Sequence, residues 1–227
     1  MTSSGTYAFN PSIGSLALAA YSRIQIRRTA LLAEHLSDAF NETNFLFSRW
    51  AVRAPNLWTV DLVTVPLVAG TATYSVDPST VMMLDAYLEY GTPPQDRLIF
   101  PISRTEYASY VNKTQQGVPN VFWFDRLISP TFTLWYVPDS STTYTLKYYR
   151  CTQPQDASLQ SGQTPAIPYR FIDAMVADLA HRLARIWKPE LEAQRAADAK
   201  EAWAEAAIND VENVALNIVP TLTSYFR

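Results

Sequence analysis

Three patterns of apolar and polar positions succeed one another along the 227 residues. From Pro11 to about Arg53, apolar residues recur at helical spacing. Ser12 is placed to cap a first helix carrying Leu16, Ala20 and Ile24 at four-residue intervals. A second stretch, Leu31 to Trp50, puts Leu32, Leu36, Phe40 and Phe47 near one face, with Leu46 and Trp50 beside it. Between the two, Arg27-Arg28 interrupts the apolar pattern and is expected at the surface.

The middle of the chain, roughly Ala54 to Ile167, reads as strands. Trp58, Val60 and Leu62 alternate with Thr59 and Asp61, a period of two that lets one face bury. Gly70 then separates this run from Thr71 to Val76, which predicts a hairpin-like arrangement. Met83 to Tyr90, Phe122 to Phe124, Thr131 to Val137 and Thr143 to Cys151 are further strands. Turn chemistry lies between them in Thr92-Pro-Pro-Gln, Gly117-Val-Pro-Asn and Pro138-Asp-Ser-Ser. The sheet is expected to be antiparallel, because no helix-length crossover separates most neighbouring runs.

The third pattern is helical again. Pro168 suits a first helical turn, where its missing N–H costs nothing. Ile172, Met175, Val176, Leu179, Leu183 and Ile186 keep helical spacing as far as Trp187. Pro189 breaks or kinks that helix, and an alanine-rich helix comes next, from Glu190 to about Asn209. Beyond Asn209 the chain stays apolar, but Pro220 argues against a long helix. Two readings stay open for this tail. It folds back over the chain's own core, or it orders on a partner by strand addition or groove insertion.

Composition removes several classes. Six glycines and 15 prolines exclude a collagen-like chain, and 48% hydrophobic residues exclude wholesale disorder. One cysteine, Cys151, excludes an intramolecular disulfide and a multi-Cys zinc site. The net charge of −3 advertises no basic footprint for tight nucleic-acid binding. No run of roughly 18 apolar residues offers a membrane-spanning helix. The start, Met1-Thr-Ser-Ser-Gly-Thr6, lacks a basic region before an apolar core, so no signal peptide is read and an intracellular, soluble product is expected.

Candidate chemistry is thin. His35 and His181 lie neither in H-E-x-x-H spacing nor beside a cysteine, and both read as structural or surface histidines. Cys151 ends a strand-like run and reads as a small buried hydrophobe. No G-x-S-x-G, Walker A or G-x-G-x-x-G occurs. Glu201 and Glu205 lie one helical turn apart among Lys200, Arg195 and Asp198, which is the pattern of a solvated face. Asp173 and Asp178 fall outside the apolar stripe of their helix and are expected to be exposed or paired. Asp125-Arg126, next to Trp123 and Phe124, is either an aromatic-lined binding site or an edge-strand ion pair. The expectation is therefore no catalytic residue, no metal and no cofactor.

Four blocks carry a resemblance. Asn56-Leu-Trp-Thr-Val-Asp-Leu-Val-Thr-Val-Pro-Leu-Val-Ala-Gly-Thr-Ala-Thr-Tyr-Ser-Val76, Asn112-Lys-Thr-Gln-Gln-Gly-Val-Pro119, Leu134-Trp-Tyr-Val-Pro-Asp139 and Ile167-Pro-Tyr-Arg-Phe-Ile172 resemble the head-to-tail adaptor proteins of tailed bacteriophages. These are also called tail tubular protein A-like or packaged-DNA-stabilisation-like proteins. The likeness runs from about Pro11 to Ala207, in the same order of helices, strands and helices, and is weakest over the last twenty or so residues.

The resemblance implies an α+β fold: a helical bundle with an antiparallel β domain inserted between its helices. On that basis residues 1–53 supply the N-terminal helices, 54–167 the inserted β domain, 168–208 the long C-terminal helices, and 209–227 an extended portal-docking tail. It further implies a non-enzymatic virion protein, made in the host cytoplasm and placed at the neck between head and tail. Twelve copies would form a ring beneath the dodecameric portal, extending the DNA channel, retaining packaged DNA and presenting a platform for the nozzle or next tail component. Expected partners are the portal protein, neighbouring copies, that tail component and double-stranded DNA sliding through without specific contact; no membrane is expected.

The residues expected to contact the portal are Ile208, Val211, Val214, Ile218, Val219, Leu222, Tyr225, Phe226 and Arg227. Arg23, Arg27 and Arg28 are weaker candidates for subunit or channel contacts, with solvated helix charges as the plain alternative. A reading from another class is a carbohydrate-binding or glycan-cleaving virion module, supported by the Trp and Tyr content of the strand region and by its carboxylates. A third is a tail or baseplate component of the same architecture.

Overall fold

The computed structural model describes residues 5–53, 57–158, 162–208 and 210. The chain is mixed α+β, with helices at both ends of the described sequence and a large curled sheet between them. Helix α1 (Ile13–Arg23) starts where expected: Ser12 is extended (φ −67°, ψ 155°) and its side chain accepts the N–H of Ser15 at 3.3 Å. It ends on Gln25, whose φ of 64° lets the N–H groups of Gln25 and Ile26 return to the carbonyls of Ser22 and Tyr21.

Helix α2 (Ala33–Arg53) confirms the second expected helix but rotates its buried face. The expected stripe began with Leu32 and Leu36, yet Leu32 is 60% exposed and Leu36 40% exposed. His35, Ala39, Thr43, Leu46, Phe47 and Trp50 are buried instead. The large rings decide this. Trp50 must pack inward, and His35, about four turns earlier on the same side, stacks on Trp187 at 3.9 Å. Ala39 between them lets the backbones approach. The hydroxyl of Thr43 is satisfied by the carbonyl of Ala39 at 2.7 Å.

After α4 (Ile172–Trp187), Pro189 opens a short turn that leads into α5 (Glu192–Ile208), close to the expected boundaries. Helix α4 packs against α1, α2 and α5. It buries Met175, Val176, Leu179 and Leu183 together with Ala174, Ala177, Ala180 and Ala184, whereas Ile186 is nearly half exposed.

Among the described residues the main sheet has seven strands. In spatial order they are β1 (Val60–Pro66), β9 (Tyr144–Thr152), β3 (Thr80–Tyr90), β4 (Gln95–Pro101), β6 (Val121–Asp125), β7 (Thr131–Trp135) and β2 (Thr73–Ser75). The short strands β5 (Gln116–Gly117) and β8 (Val137–Pro138) pair separately.

Three expectations change here. β1 and β2 do not form a hairpin: β1 pairs with β9, and β2 pairs with β7. Gly70, at φ 80°, turns the chain so that β2 reaches the far edge of the sheet. The sheet is not wholly antiparallel, since β4 runs parallel to β6 and β5 parallel to β8. The intervening helix α3 (Arg104–Ser109) and its loop supply the crossover that the β4–β6 pair requires. Within β1, Val63 and Val65 pack toward the sheet core while Leu62 points outward, reversing the expected face.

Two apolar clusters result. One, between the helices, holds Leu16, Tyr21, Leu46, Trp50, Phe171, Met175, Leu179 and Leu183. The other, on the sheet's inner side, holds Leu88, Ile99, Phe122, Phe132, Leu134, Leu146 and Tyr148. Trp58 and Ala157 come from the segment expected to be strands but pack with the helical cluster. Asn44 of α2 clips that segment in place: its amide accepts from the N–H of Ala157 at 2.8 Å and donates to its carbonyl at 3.2 Å.

Candidate functional site

The two histidines and the cysteine each have structural partners. Besides stacking on Trp187, His35 uses Nδ1 to accept the N–H of Leu32 at 3.2 Å, closing the first turn of α2 as a capping-box carboxylate would. His181 is half-buried on α4, with Nε2 3.8 Å from Glu192, and burial lowers its pKa below the ordinary 6.5. Cys151 is buried against the Thr59 hydroxyl at 3.0 Å. Glu201 and Glu205 are exposed, as a solvated face requires. Among the described residues, no group of three His, Cys, Asp or Glu side chains could hold a metal ion.

Asp173 is exposed and pairs with Arg23. Asp178 is buried, because Trp50 donates Nε1–H to it at 3.1 Å while Arg49 and Arg53 lie 3.6 and 3.8 Å away. A hydrogen bond and two cations replace the water that this carboxylate loses. Desolvation lowers the pKa of Arg53, whose guanidinium also lies 4.7 Å above the ring of Trp203.

Asp125 is not part of an edge strand, since β6 lies between β4 and β7. It pairs with Arg104 at the start of α3, 3.5 Å away. Around that pair a ladder of rings clamps α3 onto the sheet. Tyr107 stacks on Trp123 at 5.4 Å, Tyr110 on Trp135 at 4.3 Å, and Trp135 on Tyr136 at 3.8 Å. Tyr136 in turn covers Gly117, where an added Cβ would meet its ring at 3.5 Å. Trp135 also donates Nε1–H to the carbonyl of Asn112 at 3.0 Å. These ring contacts hold α3 and its loop against the sheet.

The basic candidates separate. Arg23 is committed to Asp173, whereas Arg27 and Arg28 flank the turn at Gln25, are exposed, and make no ion pair among the described residues. Of the expected portal contacts, Ile208 is the last residue of α5 and is 70% exposed. Val211, Val214, Ile218, Val219, Leu222, Tyr225, Phe226 and Arg227 lie outside the described residues. Asp210 pairs with Arg170 and so fixes where the chain leaves α5.

Exposed apolar residues on the outer face of the sheet, set beside Asp85 and the Lys147–Glu89 ion pair, escaped the sequence reading. Leu62 and Tyr149 stand opposite one another on β1 and β9, and Tyr87 stands opposite Leu98 on β3 and β4, with Phe100 further along β4. Leu62, Tyr149, Leu98 and Phe100 are all exposed. The signal was present in β4, where Leu98-Ile99-Phe100 puts apolar side chains on both faces of one strand.

Among the described residues no helix is long and apolar enough to cross a membrane. No curated protein matches this sequence. The family described as SU10 adaptor protein matches residues 16–220, a span that takes in the helices from Leu16 onward and the whole sheet. The chain therefore belongs to the SU10 adaptor protein family, and is a phage head-to-tail adaptor-type protein and virion component.

Proposed function

We propose that this chain is the neck adaptor that forms a ring of twelve beneath the portal, extends the DNA channel, retains packaged DNA and carries the next tail component. The observation that carries this reading is the family match over residues 16–220, and the family is a structural one that speaks for a non-enzymatic role. Two physical features support it. The exposed apolar residues Leu62, Tyr149, Leu98 and Phe100 are of the kind that a neighbouring subunit covers in a heterologous ring contact. The acidic balance of −3 per chain also favours sliding over sticking: twelve copies carry about −36, which repels DNA phosphates.

In this reading the segment from Ile208 to Arg227 is the portal strap. One strap binds weakly because ordering it costs entropy, but twelve engaged together raise each other's effective concentration. The test is native mass spectrometry of purified protein with and without portal rings. A discrete addition of about twelve chains per portal is expected, and deletion of 209–227 should abolish it while leaving a folded body. Full docking by the deletion variant would rule out the strap, and a chain indifferent to portal would rule out the adaptor ring itself.

A further inference from the structure

A groove runs along the turn before α4, lined by Phe9, Trp58, Ile167, Pro168, Tyr169 and Ile172, with a volume of about 380 Å³. It continues past Phe9 and Tyr169 into a second hollow of about 490 Å³ beside Tyr7. Phe9 is 66% exposed and Tyr169 75% exposed, and the two rings touch edge to face at 6.3 Å. Trp58 Nε1 is buried and has no acceptor among the described residues. The groove is open and its lining is mixed, with Asn10 beside the rings of Phe9, Trp58 and Tyr169 and the side chains of Ile167 and Ile172, so that apolar side chains can lie against the rings while a backbone finds polar neighbours.

The exit of α5 points to the occupant. Asp210 is held by Arg170, and Arg170 sits directly between Tyr169 of the groove and buried Phe171. The last described residue, Asp210, is thus tethered by the side chain of the residue that follows Tyr169 in the chain. The segment beyond carries Val211, Val214, Leu216, Ile218, Val219 and Leu222, with Glu212 and Arg227 as the only charged residues in 211–227. Burying such a segment removes apolar area from water and strands little charge.

We propose that this groove is the resting site of the chain's own segment 211–227 in the free subunit. The Arg170–Asp210 pair is the hinge point, and the groove competes with the portal for the same apolar side chains. This rests on the portal-strap reading and changes its logic. A free chain keeps its adhesive residues covered, so that copies do not aggregate through them, and a portal ring must outcompete the groove to release them.

The test uses the full-length chain without portal, so that its failure leaves the portal-strap reading standing. A Tyr169→Cys/Ile218→Cys chain is oxidised mildly beside a Leu98→Cys/Ile218→Cys control, with Cys151 left buried in both. Tyr169 and Leu98 are exposed, so both chains should fold, which far-ultraviolet circular dichroism checks. The groove pair should close within one chain about tenfold faster than the control. Phe9→Asp, which spoils the groove but keeps the Arg170–Asp210 tether, should remove that advantage, since docking and not the tether raises the local concentration of the two thiols. Equal rates would overturn the proposal. So would crosslinks that join labelled to unlabelled chains in a mixed sample, because the occupant would then be a second copy. Independently, Tyr169→Glu should speed chymotryptic cleavage at Leu222, Tyr225 or Phe226 about tenfold, and an unchanged rate contradicts groove protection.

Discussion

The helical cluster and the ladder on the sheet use the same kinds of residue for opposite ends. Between the helices, Trp50 is fully buried, lies 4.8 Å from Trp203 and 5.9 Å from Phe171, and hands its one polar atom to buried Asp178. On the sheet, Trp135 is only partly buried, lies between Tyr110 and Tyr136, and hands its polar atom to a loop carbonyl. The first tryptophan ties several helices together, while the second holds one short helix and its loop. Burial and the number of elements joined set what each is worth, not ring chemistry.

The largest effect should come from Trp50→Ala, which empties the centre of the helical cluster and takes a donor from Asp178. A loss of about 3–5 kcal/mol in urea unfolding is expected. If the helical cluster tolerates this change as easily as a surface one, the contrast collapses. Next comes Asp178. Asp178→Ala leaves Trp50 Nε1 without its acceptor and two guanidiniums without their counter-charge, whereas Asp178→Asn keeps an acceptor. The alanine variant should lose roughly 2–3 kcal/mol, below the full cost of breaking a buried pair because Arg49 and Arg53 are partly solvated. The asparagine variant should lose clearly less. Equal losses would mean that the charge, not the hydrogen bond to Trp50, is what the site requires.

Trp135→Ala should cost about 1 kcal/mol in the same assay. Its clearer mark is local: proteolysis between residues 104 and 115 should accelerate while the helices stay protected. Uniform loss of protection across the chain would show that the ladder supports the whole fold. The smallest effect concerns acid. Burial lowers the pKa of His181 in the folded state, so the unfolded chain binds its proton first. Stability contributed by neutral His181 is therefore full above about 6.5 and falls as pH drops toward the lower folded value. His181→Gln should flatten that part of the stability–pH curve, and an unchanged slope assigns it to other groups.

The same contrast explains what the sequence disclosed. Helices α1, α4 and α5 were legible because Ser12 and Pro189 punctuate strong helical spacing, although Pro168 is extended ahead of a 3₁₀ turn (Tyr169–Phe171) instead of opening the first turn of α4. The position of α2 was legible, but its buried face was not: His35 and Thr43 look polar, and only their partners, Trp187, the Leu32 N–H and the Ala39 carbonyl, make them core residues. Most strands were readable from alternation. Their order was not, since the pairing of β2 with β7 joins residues far apart in the chain, such as Thr73 with Thr133, and leaves no local trace. Strand β4 and helix α3 escaped notice because Arg97 and Arg104 break short apolar runs, and α3 is held by rings contributed from β6 and β7. Among candidate site residues, the structural roles of the histidines and Cys151 were foreseen. The buried network at Asp178 and the exposure of Leu98 and Phe100 emerged only from the fold.

Every functional assignment depends on the ring. Electron cryomicroscopy of full-length protein mixed with purified portal should show a twelve-membered collar on one end of the portal, with the Leu62–Tyr149–Phe100 face turned toward the adjacent subunit and the C-terminal segment on the portal. Bare portals at saturating protein, or a collar whose subunits leave that sheet face in solvent, would contradict it.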